Sequence, residues 1–213
     1  MKTPRTRIKI CGLTREEDLD AAVAAGADAI GLVFYPPSPR YISIERAAQL
    51  CRRVPPFVTV VGLFVNAEAD FVRQHIAALP LNCLQFHGDE RAEQCAGFGL
   101  PYVKAARVKP GVDLLEYAAS FPDAQGLLLD AWVDSYGGGG KTFDWSLIPA
   151  SLPLPLILSG GLEAANVCEA VQRVRPWAVD VSSGVEAAKG IKDADKIAAF
   201  IAGVRDADSR NEQ

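Results

Sequence analysis

What this 213-residue chain lacks narrows its function before any motif is read. It has only two histidines, His75 and His87, far apart and at no recognised ligand spacing with the carboxylates, so no metal site is expected. It has no C-x-x-C pair. Its five cysteines, Cys11, Cys51, Cys83, Cys95 and Cys168, are an odd, scattered set that argues against a disulfide framework or a structural zinc and for reduced thiols. It has no basic excess: 22 Lys and Arg stand against 26 Asp and Glu, a net charge of -4, which leaves no broad positive field for a nucleic acid. No G-x-G-x-x-G or G-x-x-x-x-G-K-[ST] fingerprint falls between a strand and a helix, so a reaction without a cofactor is the simplest reading. Residues 146–162 are uncharged but are broken by Pro149, Pro153, Pro155 and the pair Gly160-Gly161, which suits a buried strand with turns rather than a membrane span. The apolar stretch near the N-terminus runs straight into Glu16, Glu17 and Asp18 and reads as no secretory signal. A cytoplasmic protein is expected.

What is present is ordinary globular composition, 49% hydrophobic and 23% charged, arranged as a repeated pattern. Short apolar runs rich in Val, Ile and Leu begin at residues 7, 29, 58, 82, 102, 126, 155 and 178, spaced 20 to 29 residues apart. Such runs suit parallel strands covered on both faces. Amphipathic segments at 15–25, 44–53, 67–78, 90–96, 114–121, 163–173 and 193–204 read as helical connectors, with Thr14 and Glu17 forming a capping box at the first. Eight similar units without a large interruption predict an α/β fold, a closed (β/α)8 barrel in a single domain over residues 1–213, in preference to a doubly wound open sheet. The polar stretch 206–213 is expected to fray.

In such a barrel the segments after each strand converge on one face, so candidate site residues can be gathered from strand ends. They are Lys9 and Cys11, Arg40, Asn66, Gln85, His87 and Asp89, Lys104 and Arg107, Asp130, Ser159-Gly160-Gly161, and Asp180 with Ser182, Ser183 and Gly184. The small residues Gly160, Gly161, Ser182, Ser183 and Gly184 let backbone N–H groups surround a phosphate without net positive charge. Cys11, flanked by Lys9 and Gly12 at a strand end, is a candidate nucleophile or general base, its pKa expected to be lowered by nearby cations. Asp130 ends an apolar run, a setting that favours a protonated general acid, although a helix cap or a partner for Lys104 are other readings. The prolines around Arg40 present it either to a carboxylate or to solvent. The glycines at 137–140, among them Gly138 and Gly140, follow Asp130 in a long loop able to close over a ligand.

Taken together, Lys9-Ile10-Cys11-Gly12-Leu13-Thr14, Phe34 through Ser38-Pro39-Arg40, Gln85-Phe86-His87-Gly88, the Asp130 strand, the four glycines with Lys141, Phe143-Asp144-Trp145, Leu158-Ser159-Gly160-Gly161-Leu162 and Asp180-Val181-Ser182-Ser183-Gly184-Val185-Glu186 closely resemble the phosphoribosylanthranilate isomerase family. The resemblance spans residues 7–186 and implies a TIM barrel catalysing an Amadori rearrangement of a phosphosugar in tryptophan biosynthesis. It implies Asp130 as the general acid, Cys11 as the base, Arg40 on the anthranilate carboxylate, and Gly160, Gly161, Ser182, Ser183 and Gly184 around the phosphate. Lys9, Gln85, His87, Gly138 and Gly140 would line the site, with no metal or cofactor and no nucleic-acid or membrane partner. A monomer is expected rather than a homodimer. Gly139 departs from the family, which usually has Thr in this loop, and that puts loop closure and substrate affinity in question more than the chemistry. Related indole-glycerol-phosphate synthases and histidine-pathway aminoaldose isomerases are the enzymatic rivals, and a non-catalytic phosphometabolite sensor is the rival of another class.

Overall fold

The computed structural model describes residues 5–109, 111–131 and 143–211. Eight parallel strands close into a barrel in sequence order: β1 (Arg7–Cys11), β2 (Ala29–Val33), β3 (Thr59–Phe64), β4 (Cys83–Phe86), β5 (Tyr102–Val108), β6 (Gly126–Ala131), β7 (Leu156–Leu158) and β8 (Ala178–Val181). Closure is made by β1 pairing with β8, Lys9 opposite Asp180, which excludes the open sheet. The apolar runs form these strands because each side faces a covered layer, leaving no solvent face to require alternation. Each expected strand appears, with ends moved by no more than two residues.

Helices α1 (Glu16–Ala25), α2 (Ile44–Cys51), α3 (Ala69–Ala78), α4 (Ala92–Cys95), α5 (Leu114–Ala119), α6 (Val167–Val174) and α7 (Ala194–Asn211) wrap the barrel. Their buried stripes pack on the outer strand faces around Ile8, Ile10, Leu19, Leu32, Phe64, Phe86, Val171 and Phe200. Between β6 and β7 the described residues hold only a 3-10 turn, Trp145–Leu147. After β8 a 3-10 turn, Ser183–Val185, leads into a small hairpin of β9 (Glu186–Ala188) and β10 (Ile191–Lys192).

Two local expectations are corrected. The capping box at α1 does not form: Arg15 is the N-cap without a side-chain bond, because the Thr14 hydroxyl is drawn 3.0 Å to the carbonyl of Gly190 in the hairpin loop. Of the expected frayed stretch 206–213, residues 206–211 instead continue α7 to Asn211, and 212 and 213 lie outside the described residues. Asp208 accepts from the Thr6 amide at 2.9 Å and its hydroxyl at 2.7 Å, while Ala207 is fully buried, so this polar turn is tied to the start of β1.

Candidate active site

On β1, residues two apart share a face, so Lys9 and Cys11 project together at the end of the strand. Both are buried. Lys9 donates to Asp180 on β8 at 2.8 Å, and Asp180 also accepts from Ser159 at 3.3 Å, so β1, β7 and β8 share one polar layer. Gly31 on β2 makes the room: a Cβ there would stand 2.7 Å from the Cys11 Sγ and 2.9 Å from the Lys9 Nζ. Burial pulls the Lys9 pKa down, but Asp180 and Cys11 outweigh it and hold the ammonium charged. The same burial pushes the Cys11 thiol up, with Lys9 opposing and Asp180 adding to the rise. The expected lowering is thus corrected: the cation is there, yet removal from water dominates.

Arg40 follows β2 and is also buried. Gly12 lets it cross the end of β1, since a Cβ at that position would meet the Arg40 Cδ at 2.6 Å. Its guanidinium donates through Nε and Nη2 to the two oxygens of Glu186, at 2.7 and 2.8 Å. Lys192 on β10 donates to the same Glu186 at 3.0 Å and to the carbonyl and hydroxyl of Ser182 at 3.0 and 3.2 Å. Burial would raise Glu186, but its two cations outweigh that and hold its carboxyl below the usual range. Lys192, fully enclosed and sharing Glu186 with Arg40, is lowered by burial.

Asp130, near the end of β6, has its Oδ2 at 3.0 Å from His87 Nε2, and its Oδ1 accepts from the Ala131 amide at 2.8 Å. Behind it, Gln85 Nε2 lies 3.0 Å from His87 Nδ1, with both residues buried. Lys104 is not the partner of Asp130. It is fully enclosed, donating to the carbonyls of Phe86 and Gly88 and, at 3.0 Å, to Glu90. Gly138 and Gly140, like Gly139, lie outside the described residues.

The turns after β7 and β8 complete the rim. Gly160 and Gly161 have φ of 81 and 63°, left-handed values that favour glycine. A side chain on Gly160 would strike the Ala131 amide and come within 2.9 Å of Asp130 Oδ1. Gly184 is packed under the Leu162 carbonyl so tightly that no Cβ fits. The Ser182 hydroxyl donates to the Cys11 carbonyl at 3.0 Å. Going round the ring from β6 through β7 and β8 to β1, Asp130 therefore touches one glycine and serine turn and Cys11 touches the other.

The sequence alone assigns no role to Glu186 or Lys192. Glu186 directly follows the Ser182-Ser183-Gly184-Val185 turn, but Lys192, on a two-residue strand, carries no local signal. Among the described residues no group of three His, Cys, Asp or Glu is placed to hold a metal ion. A groove of about 710 Å³ opens at the opposite end of the barrel beside Trp145, Arg175 and Trp177, and none of Lys9, Cys11, Arg40, His87, Asp130 and Glu186 lines it.

Comparison with known proteins gives the chain's family. The chain matches the model of the N-(5'-phosphoribosyl)anthranilate isomerase family over residues 8–203. The N-(5'-phosphoribosyl)anthranilate isomerase of Dechloromonas aromatica is 70% identical over 204 residues, covering 96% of this chain and 98% of that one. The crystal structure of phosphoribosyl anthranilate isomerase from Thermotoga maritima superimposes with a TM-score of 0.86 at 46% identity, over 94% of this chain and 99% of the other. Another phosphoribosyl anthranilate isomerase, solved in complex with reduced 1-(o-carboxyphenylamino)-1-deoxyribulose 5-phosphate, does so at 0.83 and 43%, over 94% of this chain and 99% of that one. The chain belongs to the N-(5'-phosphoribosyl)anthranilate isomerase family.

Proposed function

We propose that the reaction of this family, the Amadori rearrangement of N-(5-phosphoribosyl)anthranilate to 1-(2-carboxyphenylamino)-1-deoxyribulose 5-phosphate in tryptophan biosynthesis, proceeds here by general acid–base catalysis with Asp130 as acid and Cys11 as base. Asp130 gives its proton to the furanose ring oxygen, the C1–O bond breaks, and the anilino nitrogen takes up the positive charge as an iminium. Cys11, as thiolate beside Lys9, removes the proton from C2, and the electrons of that C–H bond form the C1=C2 double bond of an enolamine. Its C2 hydroxyl then becomes the ketone as C1 gains a proton. Moving one proton at a time through placed groups suits such a reaction without a cofactor.

The observation that supports this most directly is the seating of the two turns after β7 and β8 against the acid and the base. Gly160 abuts Asp130, and Ser182 bonds the Cys11 carbonyl. A phosphate surrounded by the backbone of Gly160, Gly161, Ser182, Ser183 and Gly184 would sit between them, anchoring one end of the sugar. Arg40 keeps its Nη1 outside the Glu186 pair and would take the anthranilate carboxylate on that side. Lys9, Gln85 and His87 form the polar surroundings, as Gly138 and Gly140 of the long loop would.

Complementation of a tryptophan auxotroph lacking this isomerase tests the assignment. Growth is expected with the native chain and not with Cys11→Ala or Asp130→Asn; growth with both variants would overturn the roles. The cytoplasmic, monomeric state read from the sequence is kept as part of this proposal. Among the described residues no helix is long and apolar enough to cross a membrane. The Thermotoga maritima relative is described as dimeric, so sedimentation of the full chain decides its state.

A further inference from the structure

The carboxyl of Asp130 has a buried arm behind it that the acid–base scheme does not use. Gln85 and His87 are two residues apart on and just beyond β4, hence on one face, and each bonds to the next: Gln85 Nε2 to His87 Nδ1 at 3.0 Å, His87 Nε2 to Asp130 Oδ2 at 3.0 Å. A neutral imidazole carries one N–H and one lone pair. With the Gln85 amide donating to Nδ1, that nitrogen is the acceptor, and the ring proton belongs on Nε2, aimed at Asp130. The other oxygen, Oδ1, is taken by the Ala131 amide, which can only donate.

We infer that Gln85 and His87 are positioning residues for Asp130: Gln85 locks the His87 tautomer, and His87 fixes the plane of the Asp130 carboxyl and steadies the carboxylate left when its proton goes to the substrate. The inference rests on Asp130 being the acid. Negative charge appears on Asp130 only as that proton leaves, so the His87 bond strengthens toward the transition state and acts on kcat more than on KM. This role falls to Gln85 because the residue is 1% exposed and its amide nitrogen, which can only donate, is placed against a ring nitrogen. A polar residue of structural purpose alone at the end of β4 has no need to select a tautomer.

The test joins spectroscopy of the resting chain to kinetics. Long-range 1H–15N correlation of the imidazoles resolves the tautomers directly, since the chain has only two histidines and His87→Gln identifies the signals. The expected result is proton on Nε2 of His87 in the native chain and a mixture in Gln85→Leu. Kinetically, His87→Leu is expected to lower kcat by about 10- to 100-fold, the weight of one charge-assisted hydrogen bond, with KM changed less than about 2-fold. His87→Gln, whose side-chain N–H can still reach Asp130, recovers part of that loss. Proton on Nδ1 in the native chain, or kcat in His87→Leu within about 2-fold of native, overturns the inference. Asp130→Asn keeping its kcat would instead remove the reading beneath it, so the two failures are distinguishable.

Discussion

Glu186 holds Arg40 side-on, taking Nε and Nη2 at 2.7 and 2.8 Å and leaving Nη1 outside the grip. A guanidinium fixed along one edge is pre-set to receive a carboxylate along another, without the rotamer entropy of a free arginine. Glu186→Gln is therefore expected to raise KM about 10-fold with a smaller change in kcat, measured by steady-state kinetics on the full chain. Acid titration carries the matching sign. Two cations hold Glu186 below its ordinary value of 4.5, so its stabilising contribution is present above that value and lost as pH falls through the lower folded-state value. A variant lacking the carboxylate should lose that part of the acid-unfolding curve.

Cys11 predicts an alkaline thiol ionisation. Burial moves its thiol above the ordinary 9.0, so the thiolate fraction keeps increasing as pH climbs past that value. Lys9→Met removes the opposing cation and leaves Asp180, which moves the transition higher still. Thiolate absorbance, taken as the difference between native and Cys11→Ala chains, follows the ionisation directly. A transition centred below pH 9 in the unliganded protein would contradict the burial argument.

Glu90 predicts a stability effect away from the chemistry. Its carboxylate accepts from the Asn66 amide at 2.7 Å, the Gly88 amide at 2.9 Å and Lys104 at 3.0 Å, binding the turns after β3 and β4 to β5. Glu90→Ala leaves a fully enclosed ammonium without its counter-charge, a loss of about 3–5 kcal/mol. For a chain of this size that corresponds to a fall in Tm of roughly 6 to 20 °C. Pairing the change with Lys104→Met should restore much of the loss, because the second substitution removes the stranded charge, and calorimetry of the two variants reads the difference.

Gly184 predicts a geometric effect. Its Cα sits directly beneath the Leu162 carbonyl, so Gly184→Ala forces the turns after β7 and β8 apart. Overpacking of this kind costs about 1–3 kcal/mol, and the displaced amides should raise KM for the phosphosugar more than they lower kcat. An Ala variant with native KM would show that these turns do not hold the phosphate.

The barrel was legible in the sequence because the strands are short runs in which apolar residues predominate, and that signal is local. That Cys11, Asp130 and the two turns meet at one end of the barrel could be read because they sit where those runs end. What stayed hidden depends on partners far along the chain. Asp208 looked like part of a frayed tail because Thr6, which orders it, lies 202 positions away. Thr14 looked like a helix cap because Gly190, which recruits it, lies 176 away. Lys104 was placed near Asp130 by strand order alone, whereas its side chain is spent on Glu90 and two carbonyls. The direction of the Cys11 shift is hidden for a related reason: neighbouring charges can be read from spacing, but depth of burial cannot.

The bare α-carbon of Gly160 against Asp130 makes the backbone itself a ruler. Nothing but main chain separates the β7 turn from Asp130, so if the proposed roles hold, the span between a phosphate at that turn and a ring oxygen at Asp130 would be set by strand spacing and not by exchangeable side chains. Retuning this barrel for a longer or shorter sugar would require sliding β7 against β6, where Leu129 faces Leu158 in register.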